Sequence, residues 1–181
     1  MVRLCSVKQT TTLVAGEPPG VAAVFAAHGA GLFRLAVLLV GDRATAEDIV
    51  QDAFVGLQRR WPDLRDPGRA PAYVRTAVVN GANSALRRRA LTRRLHASHP
   101  PPIWSAESAE YAAIVGEDRL EVMRALARLP PRRRAVLVLR YYLDLTDDEI
   151  ADVLGISPSS VRSTASRGLR TLSRVFGQEE A

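Results

Sequence analysis

The sequence predicts an all-α protein: two small helical domains joined by a flexible linker. Three observations carry this. Apolar residues recur at helical spacing over about 21–89 and 116–176, strand-like alternation is absent, and a segment containing His99-Pro100-Pro101-Pro102 and Ser105-Ala106-Glu107-Ser108 separates the two stretches. The expected order is therefore a tail over 1–19, a domain over 20–89, a linker over 90–115, a second domain over 116–176 and a short tail over 177–181.

The first domain reads as three helices. One is expected from Val21 to Val40, broken by Gly41-Asp42, and a second from Arg43 to Trp61. Pro62 to Arg69 is a loop, and Pro71 opens a third helix to about Arg89. On the second helix Val50, Phe54, Leu57 and Trp61 share a core-facing stripe. Asp48, Asp52, Val55 and Arg59 lie opposite, with Gln51 beside them. A solvated acidic helix gives the same pattern. However, Asp42, Glu47, Asp48 and Asp52 form a negative patch in a basic chain, which should repel DNA and suits a protein partner.

On the third helix Val74, Val78, Ala82, Ala85 and Leu86 face inward. Tyr73, Thr76, Asn80, Asn83, Ser84, Arg87 and Arg88 gather on the other side. An aromatic ring, amides and arginines together suit a single-stranded nucleic acid, which needs stacking, base-edge partners and phosphate contacts. A solvated polar face is the alternative, but Pro67 to Ala106 holds no Asp or Glu, and solvated faces usually mix signs.

The second domain carries the most specific signal. Thr146-Asp147-Asp148-Glu149 is a capping box opening a helix that ends at Gly155. Ser157-Pro158 then starts another helix, serine at the N-cap and proline at the first turn. Two helices joined by so short a turn make a helix-turn-helix, whose second helix enters the major groove. Val161, Ala165, Gly168, Leu172 and Phe176 should point inward. Ser159, Ser163, Ser166, Arg167, Arg170 and Arg174 point outward, with Ser160 near the start and Arg162 at the margin. Upstream, Arg132-Arg133-Arg134 reads as a further phosphate clamp or a solvated helix start.

Charge and composition agree. The net charge is +6 with 47% hydrophobic residues, which suits a polyanionic partner and a packed core. The single cysteine, Cys5, excludes an internal disulfide, and no apolar run is expected to be long enough to span a bilayer. A cytoplasmic protein without membrane insertion is expected. His28, His96 and His99 lack metal-ligand spacing, and no nucleophile–base pair or phosphate-cradling glycine loop is present. No catalytic residue, metal or cofactor is therefore expected.

The order of these pieces resembles the sigma-70 family of bacterial RNA polymerase sigma factors. Ala46-Glu47-Asp48-Ile49-Val50-Gln51-Asp52-Ala53-Phe54 resembles the polymerase-binding segment of region 2. Tyr73 to Asn80, followed by Arg87-Arg88-Arg89, resembles the helix that melts the −10 element. Leu129 to Leu137, Tyr141-Tyr142, Glu149-Ile150-Ala151 and Leu154-Gly155-Ile156-Ser157 resemble region 4, which binds the −35 element. Having only these two regions, the chain is similar to the extracytoplasmic-function group, actinobacterial type.

The resemblance implies core RNA polymerase as partner through its β′ clamp helices and β flap, with Asp48, Gln51 and Asp52 facing the β′ clamp helices. It implies promoter DNA, single-stranded at −10 on Tyr73, Asn80, Arg87 and Arg88, with a flipped base held by the Pro62–Arg69 loop. It implies double-stranded DNA at −35 on Ser159, Ser160, Arg162, Ser163 and Arg167. An anti-sigma factor is a further possible partner. The chain departs from the family's pattern at Tyr73, usually tryptophan, at Pro158-Ser159-Ser160, usually Val-Gly-Thr, and at Gly81 inside the melting helix. The rival reading, a dimeric helix-turn-helix regulator acting without polymerase, leaves the acidic helix and the Tyr73/Asn80/Arg87 face without a role.

Overall fold

The computed structural model describes residues 20–95 and 117–177, and every described element is helical. The N-terminal tail with Cys5 and Lys8, most of the expected linker with His96 and His99, and residues 178–181 lie outside the described residues. Helices α1 (Val21–Val40), α2 (Arg43–Arg60) and α3 (Ala70–Leu95) pack mutually, and α4 (Glu117–Ala127), α5 (Pro131–Tyr141), α6 (Asp147–Leu154) and α7 (Pro158–Gly177) form a second group.

α1 corrects one expectation. Its 20 residues have a window of mean hydropathy 1.9, so by length and composition it could cross a membrane. The sequence alone predicts no apolar run long enough to span a bilayer, and this helix passes by length and composition only. Here α1 is the central core helix: Leu35, Ala36 and Val40 are fully buried, and it packs against α2, α3 and α5.

The carboxyl end of α1 organises this half of the fold. A helix leaves its last carbonyls without intrahelical donors. Gly41, at φ 85°, turns left-handed and donates its N–H to the Val37 carbonyl at 2.9 Å. Arg89 of α3 donates to the Val40 carbonyl at 3.1 Å. Arg134 of α5 donates to the Leu39 carbonyl at 2.8 Å. Two cations at a helix carboxyl end also oppose its partial negative charge.

α2 starts on Asp42, whose carboxylate accepts from the Thr45 amide at 2.8 Å and pairs with Arg89. Asp42 is thus a capping residue rather than part of the expected acidic patch. The helix ends one residue early: Trp61 begins a 3₁₀ turn over Trp61–Asp63, with a second over Pro67–Arg69, so the expected loop is two short turns. α3 runs past Arg89 to Leu95, because no glycine, proline or cap residue stops it there.

α3 has a second apolar edge beyond the stripe its helical period predicts. Val79 is fully buried although it lies well off the Val74–Val78–Ala82 stripe. Its flank of α3 also carries Arg75, one turn away, and α3 touches α5 and α6. Arg134 is the other surprise. Instead of joining Arg132 and Arg133 in a phosphate clamp it is 3% exposed, bonded to the carbonyls of Ala127 (2.9 Å), Leu129 (3.3 Å) and Leu39, with Nε unpartnered. Burial pushes its guanidinium down to about 10, below the usual arginine range, so it stays a cation at neutral pH.

Candidate polymerase and nucleic-acid interfaces

Three exposed surfaces carry the expected site residues. The first is a ridge on α2. Ile49, Val50, Ala53, Phe54 and Leu57 turn inward, which forces the residues between them outward: Asp48, Gln51 and Asp52 are exposed, as is Val55 at 42%. Among the described residues neither Asp48 nor Asp52 forms an ion pair, whereas Glu47 is paired with Arg43 at 2.8 Å. The ridge therefore presents two uncompensated carboxylates, an amide and an apolar side chain.

The second surface is on α3. Asn80, Arg87 and Arg88 are exposed, and Tyr73 is half-buried beneath the Arg60 guanidinium, 5.8 Å from its ring centroid. Arg60 was not among the expected contributors; an arginine over an aromatic face stiffens the ring and adds positive charge beside it. Arg87 donates to the Ser84 hydroxyl at 3.2 Å. Arg89, next in the basic run, is committed to Asp42 and Val40, so the run splits into two outward arginines and one structural one.

An open groove of about 250 Å³ separates α2 from α3, lined by Asp52, Gly56, Tyr73, Gly81, Ser84 and Arg88 among others. It joins the acidic ridge to the α3 face. Gly81 makes this approach possible: a Cβ there would lie 2.9 Å from Ile49 Cγ2. The glycine's cost to the helix is thus offset by close helix packing.

The third surface is the helix-turn-helix. The capping box forms as expected, with Thr146 and Glu149 each accepting from the other's backbone amide (3.3 and 2.8 Å). Gly155 exits α6 at φ 62°, and Ser157 Oγ accepts the Ser160 amide at 3.2 Å, capping α7. Val161, Ala165 and Gly168 are buried, as is Thr164, which the sequence reading left unassigned. Ser159, Arg162, Ser163 and Arg167 are exposed, and Ser160 is half-buried with its hydroxyl 2.9 Å from Ser157 Oγ. Arg167 reaches the Ser163 hydroxyl at 3.2 Å. Asp147 pairs with Arg140 and lies 3.7 Å from Arg162, holding that arginine against the flank of the helix pair.

The arrangement is that of a helical DNA-binding protein with a basic helix-turn-helix, a separate polar–aromatic helix face and an exposed acidic ridge. Comparison with known proteins agrees. Residues 24–92 match sigma-70 region 2, and residues 119–172 match sigma-70, region 4. Over 141 residues the chain is 34% identical to the RNA polymerase sigma-E factor of Streptomyces avermitilis, covering 78% of this chain and 76% of that protein. It is 32% identical over 166 residues to the ECF RNA polymerase sigma factor SigL of Mycobacterium tuberculosis, covering 87% and 89% respectively. The fold is shared with the sigma factor RpoE, solved in complex with the anti-sigma factor NepR from Bartonella quintana (TM-score 0.63, 19% identity, 82% of this chain and 91% of that one).

The chain belongs to the sigma-70 family of RNA polymerase sigma factors, in its extracytoplasmic-function group. It directs core polymerase to specific promoters and initiates DNA melting and transcription there, and the reading as a free-standing dimeric regulator is not favoured.

Proposed function

We propose that the work is divided among the three surfaces. Residues 20–89 act as region 2, residues 116–176 as region 4, and 90–115 join them between two tails. Asp48, Gln51 and Asp52 dock on the β′ clamp helices, with Val55 adding apolar contact, while the second module meets the β flap. Tyr73, Asn80, Arg87 and Arg88 hold the displaced single strand at −10, with the Pro62–Arg69 segment receiving a flipped base. Ser159, Ser160, Arg162, Ser163 and Arg167 read the −35 duplex. The protein works as an initiation factor in the cytoplasm, without chemistry of its own.

The observation that carries this reading is the segregation of charge. The exposed ridge of α2 keeps two unpaired carboxylates, while the outward residues of α3 and α7 carry arginine and no acid. Taking a base out of its stack costs a few kcal/mol, and stacking on an aromatic ring returns about 1–3 kcal/mol per base. Tethering both DNA faces to polymerase makes the second contact effectively intramolecular. An anti-sigma factor is the natural regulator, since a sigma factor of this fold is solved bound to one. Run-off transcription with purified core polymerase across a promoter library tests the reading. Initiation from a defined subset of templates is expected, and none at all, beside an active control sigma factor, would overturn it.

A further inference from the structure

We infer that Asp147 is a positioning residue for −35 recognition. Its carboxylate holds Arg162 back from the phosphates of ordinary duplex and yields it to the −35 element, so the pair sets specificity rather than affinity. The inference rests on the assignment of α7 to the −35 duplex.

Asp147 opens α6, which packs on α7. Arg140 of α5 takes one of its carboxylate oxygens, Oδ1, and Arg162 of α7 lies 3.7 Å from the other, Oδ2. One carboxylate is thus shared by arginines from two helices, and the two pairs differ in depth. The Arg140 and Asp147 side chains are 25% and 26% exposed, whereas that of Arg162 is 63% exposed. The inner pair fixes the carboxylate. The outer one leaves the Arg162 guanidinium able to swing away.

The register of α7 sets this pair against the DNA backbone. At about 100° per residue, Arg162 lies about 60° around the helix from Ser159, and Arg167 lies about 80° to the other side. The centre of a recognition helix faces base edges, while its flanks face the phosphates that line the groove. Arg162 therefore meets a phosphate, and Asp147 is a second anion competing for the same guanidinium. Repulsion between that carboxylate and the backbone acts on every sequence alike.

The contest is close. A largely exposed ion pair at this distance is weak, and so is one phosphate contact on loosely held duplex. On unmatched DNA no base contact fixes α7, and Arg162 stays with Asp147. On the −35 element Ser159, Ser163 and Arg167, all exposed on α7, seat the helix. A phosphate then arrives in register, and Arg162 crosses to it. A carboxylate that disfavours the wrong duplex more than the right one raises discrimination without adding a contact.

Fluorescence anisotropy of the full-chain holoenzyme tests this on two labelled duplexes that lack a −10 element. One carries the −35 segment of a template that the wild type transcribes, and the other has that segment scrambled. D147N should bind the scrambled duplex about 2–5-fold more tightly, with a salt dependence steeper by up to about one phosphate contact. Its binding to the −35 duplex should stay within about twofold of wild type. D147N/R162A should show neither the gain nor the steeper slope relative to R162A, a coupling that a merely structural Asp147 would not give. R162Q, at an exposed position, should weaken the −35 duplex alone, and it decides the matter if D147N proves unstable. D147N matching wild type on the scrambled duplex, a gain that survives R162A, or R162Q weakening both duplexes alike would overturn the inference. A failed −35 assignment looks different: the wild type would bind both duplexes equally and R167A would change neither, which removes the inference with it.

Discussion

Arg89 reaches back from α3 to Asp42, the residue that caps α2, and in the same grip holds the Val40 carbonyl that ends α1. One side chain thereby ties α1, α2 and α3 at a single corner. Its neighbours Arg87 and Arg88 point into solvent, so one basic run holds a structural arginine and two outward ones.

This split predicts that R89A and R88A behave differently. Arg89 and Asp42 are 33% and 27% exposed, so loss of their charge-assisted bonds should cost only about 1–2 kcal/mol. R88A should leave stability within about 0.5 kcal/mol while impairing promoter opening. Urea unfolding paired with permanganate mapping of open complexes distinguishes the two. Equal stabilities would mean the corner contributes nothing.

Acid should loosen this corner. Burial alone would raise the Asp42 carboxyl, but hydrogen bonds from Arg89 and Thr45 outweigh it and hold it below 3.8. The Thr146 amide and hydroxyl hold Glu149 below 4.5. Both carboxyls bind a proton less readily when folded. Their contribution is therefore present above the ordinary carboxylate values and is lost as pH falls through the depressed folded ones. The melting temperature should drop steeply below about pH 4, and D42N should flatten that slope while lowering stability at neutral pH. An unchanged slope in D42N would remove Asp42 from the account.

Gly81 offers a test of helix packing against helix propensity. Alanine usually gains about 1 kcal/mol over glycine in a helix. Here its Cβ would meet Ile49 Cγ2 at 2.9 Å, and overpacking costs about 1–3 kcal/mol. G81A should therefore be neutral to destabilising by denaturant unfolding, and a gain in stability would show that Ile49 yields freely.

On the recognition helix, R167A should weaken −35-dependent transcription by the equivalent of about 1–3 kcal/mol if Arg167 reads a base. The loss should concentrate on one promoter position when single-base variants are compared. A uniform loss would make it a phosphate contact, and no loss would remove it from the interface.

Much of this was legible in the sequence because it is written locally. Apolar spacing and caps gave α1 and α6 at their observed limits, and the outward faces of α2, α3 and α7 followed from helical period alone. The failures are tertiary. Nothing near Arg134 distinguishes it from Arg132 or Arg133; what buries it is a set of carbonyls contributed by Leu39, Ala127 and Leu129. Asp42 was counted with the acidic patch because its partner Arg89 lies 47 residues away. Val79 looked exposed because the period of α3 assigns one apolar stripe, whereas the helix is covered on two sides. The Gly41-Asp42 signal, a left-handed exit followed by a cap, was stronger than its first use as a simple break allowed.

The central claim is that the α2 ridge grips polymerase while the α3 and α7 faces grip DNA. The most direct measurement compares two double variants for co-purification with core polymerase and for permanganate reactivity at a promoter. D48R/D52R should lose core binding while keeping its unfolding midpoint, because both side chains are exposed. R87A/R88A should keep core binding and lose −10 opening. A D48R/D52R protein that still binds core, or an R87A/R88A holoenzyme that melts DNA normally, would contradict the account.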